Sequence, residues 1–238
     1  MAKQLYDYWF VQFDFPNENG SPYKSSGGRM VWNDTLKRYI PEGWEVINLF
    51  DGVDVQYGFP FSTEYFTTDK TPFPIVRIRD IKEGTCSAYT TETPDEKYRL
   101  YSGDVVVGMD GNFHMNIWHN GNNYLNQRCV RFRAKEDSPI SGIQALFETA
   151  PYIKAKEANA KGSTVGHLSD KDLKSMWLTY PRENEHFKPR CIFDSLSQHI
   201  GASKCEIETL IHQRDELLPL LMSGQVSITP LNNDLSLD

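Results

Sequence analysis

The sequence has 238 residues, of which 39% are hydrophobic and 13% aromatic, and this composition excludes an intrinsically disordered chain. The formal net charge of −7 excludes a simple, uniformly basic DNA-binding protein, because phosphate contacts need Lys and Arg. No apolar run approaches the roughly 20 residues that span a bilayer, and the N-terminus lacks the layout of a signal peptide, so we expect a cytoplasmic protein.

The first predicted element is a helix over residues 3–13, KQLYDYWFVQF, because its apolar residues recur at helical spacing. Leu5, Tyr8 and Trp9 lie on one face of this helix, and we expect them to contribute to an interface with a partner helix. Residues 16–44 are rich in turn-forming residues, which predicts a linker that crosses a surface without forming a core.

Residues 45 to about 135 predict short strands separated by turn signals. Residues 116–132, NIWHNGNNYLNQRCVRF, predict a hairpin whose tip, HNGNN, supplies positions with positive φ. The predicted strands are Glu45–Leu49, Pro74–Arg79, Asp104–Gly108 and Gln127–Phe132.

Helical periodicity returns over residues 141–158, with a break expected at Pro151. Ser169 and Asp172 have the spacing of a capping box at the start of a short helix, and WLTYP at residues 177–181 predicts a closing strand. We therefore expect an α+β domain of mixed or antiparallel strands with short helices over residues 45–190.

The clearest pattern lies near the C-terminus, where seven of nine positions at alternating steps of three and four are apolar. It predicts a long coiled-coil helix over residues 191–226, followed by a flexible tail over residues 227–238. Packing of this helix on its own domain is the alternative to pairing with another chain. The predicted interface residues on the helix are Phe193, Leu196, Ile200, Ile207, Leu210, Leu217 and Leu221.

Arginines on the predicted strands are the first candidates for contact with nucleic acid. Arg77 and Arg79 share one predicted strand face, from which they can donate to phosphates or to a guanine edge. The alternative is a solvated strand face on which they pair with neighbouring acids. Strand alternation puts Arg131 and Arg133 together as candidate phosphate contacts, whereas Arg128 is expected to pack inward against a carboxylate.

Two predicted loops carry further candidates for DNA contact. Residues 108–114, GMDGNFH, present Asp110, Asn112 and His114, and the two glycines let the backbone approach a nucleic acid closely. A lysine-bearing helix end then leads into a Ser/Thr loop that can clamp phosphates. A plain turn and a solvated helix end are the respective alternatives. The candidates in the second loop region are Lys154, Lys156, Lys161, Ser163, Thr164 and His167.

The sequence lacks the motifs that would indicate catalysis. There is no Walker A motif, no Gly-rich cofactor-binding fingerprint and no NPPY-type methyltransferase motif. His114 and His119 have no Cys or Glu at ligand spacing, and the four scattered cysteines predict reduced, mostly buried thiols. Residues 93–97, TPDEK, lack the upstream acid of a nuclease site. We therefore expect no metal, cofactor or catalytic residue, and an enzyme acting on nucleic acid is a minor alternative.

Five segments resemble the specificity subunits of type I restriction–modification systems. The first segment resembles the stretch after the central coiled coil of those subunits, and the last resembles their conserved C-terminal helix. The similarity runs from residue 3 to about residue 228. The segments are YDYWFVQFDFPNENGSPYKSSGGRMVW at 6–32, IPEGWEV at 40–46, YLNQRCVRF at 124–132, GSTVGHLSDKDLK at 162–174 and IETLIHQRDELLPLLMSGQV at 207–226.

The resemblance implies a target-recognition domain followed by a conserved coiled-coil helix, with residues 1–44 holding the end of another conserved helix and a linker. It implies a subunit that reads one half of a bipartite site in double-stranded DNA. Methyltransferase (modification) subunits and a restriction/translocase subunit would be its partners and would carry the catalysis. A second specificity half or a second copy would pair with it through the coiled coil.

The sequence departs from the family pattern in holding one recognition domain and only a stub of the first conserved helix. A natural half-length subunit, a silent cassette and a fragment are the open explanations. The alternative function is a scaffold that does not read DNA and acts only through its coiled coil. An acidic surface around residues 77–79, 110–114 and 154–167 would favour that alternative.

Overall fold

The computed structural model has an α+β fold that ends in one long helix, which confirms the predicted fold class. The chain divides into two units, Met1–Gly201 and Ala202–Asp238. Within the described residues, no helix combines the length and apolar character needed to cross a membrane. The structure describes residues 1–111, 113–160, 166–182 and 187–224.

An antiparallel four-stranded sheet lies at the centre of the first unit, with strand order β10-β9-β12-β4. Val105–Gly108 is buried throughout, as a central strand covered on both faces requires. Phe132 of β12 pairs with Val105 of β9 and with Val55 of β4 and is fully buried. The strands are β4 (Val53–Tyr57), β9 (Val105–Gly108), β10 (Met115–Ile117) and β12 (Cys129–Ala134).

A second sheet of five short strands has the order β5-β7-β6-β11-β8. Its β6–β11 pair is parallel, with Leu125 opposite Val76, whereas the other pairs are antiparallel. The strands are β5 (Phe66–Thr67), β6 (Pro74–Val76), β7 (Ala88–Thr90), β8 (Arg99–Leu100) and β11 (Asn123–Leu125).

The predicted hairpin over residues 116–132 is wrong. Strand β10 pairs with β9, whereas β11 pairs with β6 and β8, so the two strands belong to different sheets. Asn122 does have a φ of 67°, which confirms a positive-φ position in the HNGNN turn. The turn was recognised correctly, but local sequence does not show which strands its neighbours pair with.

The N-terminal segment belongs to the core of the first unit. Ala2–Tyr6 forms helix α1 and Asp7–Val11 forms a π-helical turn, in agreement with the predicted helix. Trp9 is buried and packs edge-on against Phe187, so its predicted role at a partner interface is wrong. Leu5 is partly buried against the same core, while Tyr8 is exposed.

The segment predicted to be a linker also forms regular structure. Strands β1 (Met30–Asn33) and β2 (Arg38–Pro41) make an antiparallel hairpin, and Ile40 within it is buried. Strand β3 (Trp44–Asn48) then pairs antiparallel with β13 (Trp177–Pro181). The prediction of a linker without a core role is therefore wrong, because the turn residues connect short strands.

Among the described residues of the first unit, four further α-helices precede the long C-terminal helix. Ser169 and Asp172 form the predicted capping box at the start of the last of them. The predicted break at Pro151 is wrong, because the helix continues through it. Pro151 is exposed, and the helix tolerates the loss of one backbone hydrogen bond there. The helices are α2 (Leu49–Gly52), α3 (Ile78–Ile81), α4 (Gly142–Ala160) and α5 (Asp170–Lys174).

The long helix α6 runs from Pro189 to Met222. Phe193 is fully buried and Leu196 packs against the core of the first unit, so their predicted role in pairing with another chain is wrong. Gly201 is also buried, and a Cβ there would lie 2.9 Å from Nδ1 of His119. Glycine therefore allows close packing at this point of the helix.

In the second unit, the helical residues from Ala202 to Met222 keep their apolar stripe exposed. Ile207, Leu210 and Leu217 are exposed. The predicted interface residues Ile200, in the first unit, and Leu221 are half-buried.

All four cysteines are free. Cys129 is buried and Cys86 is half-buried, and burial raises the pKa of the Cys86 thiol to about 12. Cys191 and Cys205 are exposed on α6, so the expectation of mostly buried thiols is wrong for these two. In the part of the chain that the structure describes, no three His, Cys, Asp or Glu side chains are grouped so that they could hold a metal ion.

Candidate nucleic-acid interface

One open cleft in the first unit, with a volume of about 460 Å³, gathers several of the predicted basic residues. Its described lining contains three arginines and a histidine but neither a carboxylate nor a lysine. We call it the arginine cleft. Its basic and amide residues are Arg77, Arg79, His114, Asn126, Gln127 and Arg128.

Parallel strand pairing explains why two arginine-bearing segments meet at this cleft. Strands β6 and β11 run side by side in the same direction, so their carboxyl ends emerge at one edge of the sheet. Arg77–Arg79 follows β6, and Asn126–Arg128 follows β11. The backbone N–H of Asn126 donates to the carbonyl oxygen of Val76 over 3.2 Å, which fixes the two segments together. Phe61, which is buried, and Phe66 complete the wall.

Arg77 is held by the protein and does not lie on a strand face as predicted, because β6 ends at Val76. Its Nε donates to Oδ2 of the buried Asp80 over 3.2 Å, and its Nη2 donates to Oγ of Ser87 over 2.6 Å. Asp80 Oδ2 also accepts the Arg77 backbone N–H over 3.0 Å and caps α3. Arg77 thus pairs with a neighbouring acid, as the alternative expected, but at the start of a helix and not on a strand face.

Arg79 lies one residue into α3 and is exposed at the cleft. Among the described residues, no carboxylate lies within ion-pair distance of its guanidinium group, which distinguishes it from Arg77 and Arg128. Its fork of N–H donors is therefore available to a ligand.

Arg128 lies in the turn between β11 and β12, and 67% of its side chain is exposed. Its Nη1 lies 3.4 Å from Oδ2 of Asp110. The predicted carboxylate partner exists, but the prediction that Arg128 packs inward is wrong. The strand alternation on which it depended begins only at Cys129.

Asp110 joins two loops that the sequence suggested separately. Its Oδ1 lies 2.6 Å from Nδ1 of His167, and the backbones of the two residues form an antiparallel bridge. The backbone N–H of Leu168 donates to the carbonyl oxygen of Met109 over 2.8 Å. Asp110, Arg128 and His167 thus form one connected group beside the cleft. The other predicted contacts in these loops, Asn112, Lys161, Ser163 and Thr164, lie outside the described residues.

Arg131 and Arg133 hold the central sheet together, so their predicted role as phosphate contacts is wrong. Arg131 is only 3% exposed and pairs with Asp54, and burial lowers the pKa of its guanidinium group. Arg133 donates to both oxygens of the buried Asp104 over 2.7 and 2.6 Å. Its guanidinium also lies 4.4 Å from the ring centroid of Tyr101, within range of a cation–π interaction.

The two described lysines of the second loop region do not line the cleft. Lys156 donates to Oδ1 of Asp172 over 2.7 Å and so supports the start of α5. Burial opposes ionisation of Asp172, but the hydrogen bonds from Lys156 and Ser169 prevail and lower the pKa of that carboxyl group to about 2. Lys154 is exposed on α4.

Comparison with known proteins identifies the family of the chain. A family model described as the type I restriction modification DNA specificity domain matches residues 41–213. The chain belongs to this specificity family. The matched range contains the whole arginine cleft and the part of α6 up to Gln213.

Two curated relatives of this specificity-family member are themselves specificity subunits. The type I restriction enzyme EcoBI specificity subunit of Escherichia coli is 30% identical over 172 residues, which cover 72% of this chain and 36% of that protein. The MjaIX specificity subunit of Methanocaldococcus jannaschii is 26% identical over 250 residues, which cover 97% of this chain and 53% of that protein. The chain thus spans between about a third and a half of the length of these relatives.

Solved structures share the fold of this specificity-family member. A crystal structure of the type I restriction-modification S subunit from M. genitalium has a TM-score of 0.52 and 16% identity, covering 76% of this chain and 46% of that one. A chain from a study of type I R-M complex assembly has a TM-score of 0.51 and 14% identity, covering 91% and 49%. At these identities the likeness shows the fold alone.

Proposed function

We propose that the chain recognises double-stranded DNA as the specificity subunit, or half-subunit, of a type I restriction–modification complex. It would direct methyltransferase and restriction/translocase subunits to one half of a bipartite site. The observation that carries this proposal is the arginine cleft, whose described lining has no carboxylate although the whole chain has a net charge of −7. A cleft of this charge attracts phosphates, and its Arg, His and amide groups match the hydrogen-bonding edges of bases.

Catalysis would belong to the partner subunits, and the complex would act on DNA in the cytoplasm. The relatives of known function are specificity subunits, which supports a role in recognition. The scaffold alternative expected an acidic surface around residues 77–79, 110–114 and 154–167. The acids in these ranges are Asp110 and Glu157, and Asp110 is already paired with Arg128 and His167.

The exposed stripe of α6 would supply the contact with a second specificity half or with a second copy of the chain. Ile207, Leu210 and Leu217 recur at heptad spacing and are exposed. Apolar side chains in this arrangement are buried when two helices pair.

The proposal is tested by measuring the affinity of the full chain for random-sequence duplex DNA at salt concentrations from about 50 to 200 mM. We expect the association constant to fall with rising salt, and an R79A/R128A double variant to bind more weakly than the wild type. Arg29→Ala is the matched control, because Arg29 is exposed but lies outside the cleft. Wild-type binding that is absent, or equal binding by the double variant and the wild type, would contradict the proposal.

A further inference from the structure

The two exposed arginines of the cleft are held in different ways. Arg79 has no carboxylate partner among the described residues, whereas the guanidinium group of Arg128 lies 3.4 Å from Asp110. Both lie at the carboxyl ends of adjacent parallel strands, so one bound duplex can reach both. The difference suggests that they contact different parts of the DNA.

The backbone that carries Arg79 is held by hydrogen bonds and by the burial of neighbouring residues. Its helix α3 starts with a capping interaction in which Asp80 accepts the Arg77 N–H, and Ile81 is fully buried on the opposite side. Arg77 adds hydrogen bonds to Asp80 and Ser87. A side chain on a fixed base loses less freedom on binding, and fixed geometry is what discrimination between bases requires.

Arg128 is suited to a phosphate contact. Asp110 already engages Nη1 of its guanidinium group, so an end-on bidentate contact with a base edge through both Nη atoms would compete with the existing ion pair. A single N–H donated to a phosphate oxygen leaves the ion pair with Asp110 in place. Asp110 itself is held by His167, so it acts as a positioning residue for Arg128.

We propose that Arg79 reads a guanine in the half-site, while Arg128 anchors the DNA backbone irrespective of sequence. This inference depends on the proposed function, and it assigns the recognition of one base to one residue, Arg79. Guanine presents two acceptors, O6 and N7, that match the two parallel donors of a free guanidinium group. The neighbouring cleft groups Asn126 and Gln127 are amides, which pair with base edges and give phosphates no net charge.

The test selects bound sequences from a pool of duplexes with a randomised central segment, using the full chain as wild type, R79A, R128A and R29A. The wild type and R29A are expected to enrich one motif that contains a guanine. A good bidentate contact favours the correct base over the others by about 5- to 150-fold. R79A should lose this preference at the guanine and keep the rest of the motif. R128A should keep the full motif, bind all duplexes more weakly, and lower the salt slope by about one.

The outcomes separate the inference from the proposed function. If the wild type enriches a motif and R79A enriches the same motif with its guanine, the inference fails and the proposed function stands. If R128A loses a base preference and R79A does not, the assignment is reversed and the inference fails as well. A wild type that enriches no motif overturns both. Circular dichroism of each variant checks that the fold is kept, as expected for exposed side chains.

Discussion

Glu148 of α4 is a carboxylic acid in the interior of the first unit. One of its oxygens accepts hydrogen bonds from the backbone N–H and the hydroxyl of Thr179, over 2.9 and 2.7 Å, and lies 3.5 Å from Nη2 of Arg38. It thereby connects α4 to strand β13 and to the N-terminal hairpin. Burial nevertheless dominates and raises the pKa of the carboxyl group to about 7.

This shift predicts that the free energy of unfolding depends on pH. Between about 4.5 and 7 the folded state retains a proton that the unfolded state has lost, so stability falls as the pH rises and is constant above that range. The loss is at most about 3 kcal/mol. Urea denaturation of E148Q should lack this slope, whereas the exposed control E18Q should keep it. An unchanged slope in E148Q would show that another group causes it.

The individual residues of the arginine cleft were predictable only in part. Arg77 and Arg79 were identified as basic side chains on a predicted strand face, and His114 was identified in a glycine-bearing loop. Arg131 was assigned wrongly because its partner Asp54 is 77 positions away in sequence. Local alternation cannot indicate such a pair.

At the scale of elements, the position of the Asn126–Arg128 turn depends on Gly58, at the end of β4. The N–H of Gly58 donates to the carbonyl oxygen of Cys129 over 3.0 Å, and a Cβ at Gly58 would overlap the carbonyl oxygen of Asn126. Any side chain at this position must displace the turn that carries Gln127 and Arg128.

We therefore expect Gly58→Ala to cost about 1–3 kcal/mol of stability, as overpacking does, and to weaken DNA binding as well. Thermal denaturation and duplex-binding measurements check the two effects. Gly121→Ala is the matched control, because a Cβ at Gly121 meets open space, and it should leave both quantities unchanged. A G58A variant as stable as G121A would contradict the close approach of Gly58 to the carbonyl group of Asn126.

Elements with a strong local signal were predicted correctly, and their pairing was not. The capping box at Ser169 and the closing strand after it needed only a few neighbouring residues. The cleft depends on the parallel pairing of β6 with β11, and strands β7 to β10 lie between them in the chain. No periodicity in either segment specifies a partner so distant in sequence.

At the scale of the whole molecule, the exposed apolar stripe between Ile207 and Leu217 of α6 predicts that two copies of the chain associate through this part of the helix. Replacing Leu210 and Leu217 together with Ser should shift the chain toward the monomer in sedimentation experiments at increasing protein concentration. Burial of two leucine side chains is worth several kcal/mol, so the shift should be large. Glu216→Ser, on the other face of the helix, is the control for lost helix propensity. A wild type that remains monomeric throughout would contradict pairing between copies.

Under the proposed function, the contrast between an acidic chain and a basic cleft has a consequence for the speed of target search. A net charge of −7 repels duplex DNA in most orientations once the two come within about a Debye length, and attraction acts only when the cleft faces the duplex. Encounters in other orientations separate quickly, so the residence time on non-target DNA is short. The chain should therefore find its site by repeated collisions from solution, with little sliding along the duplex.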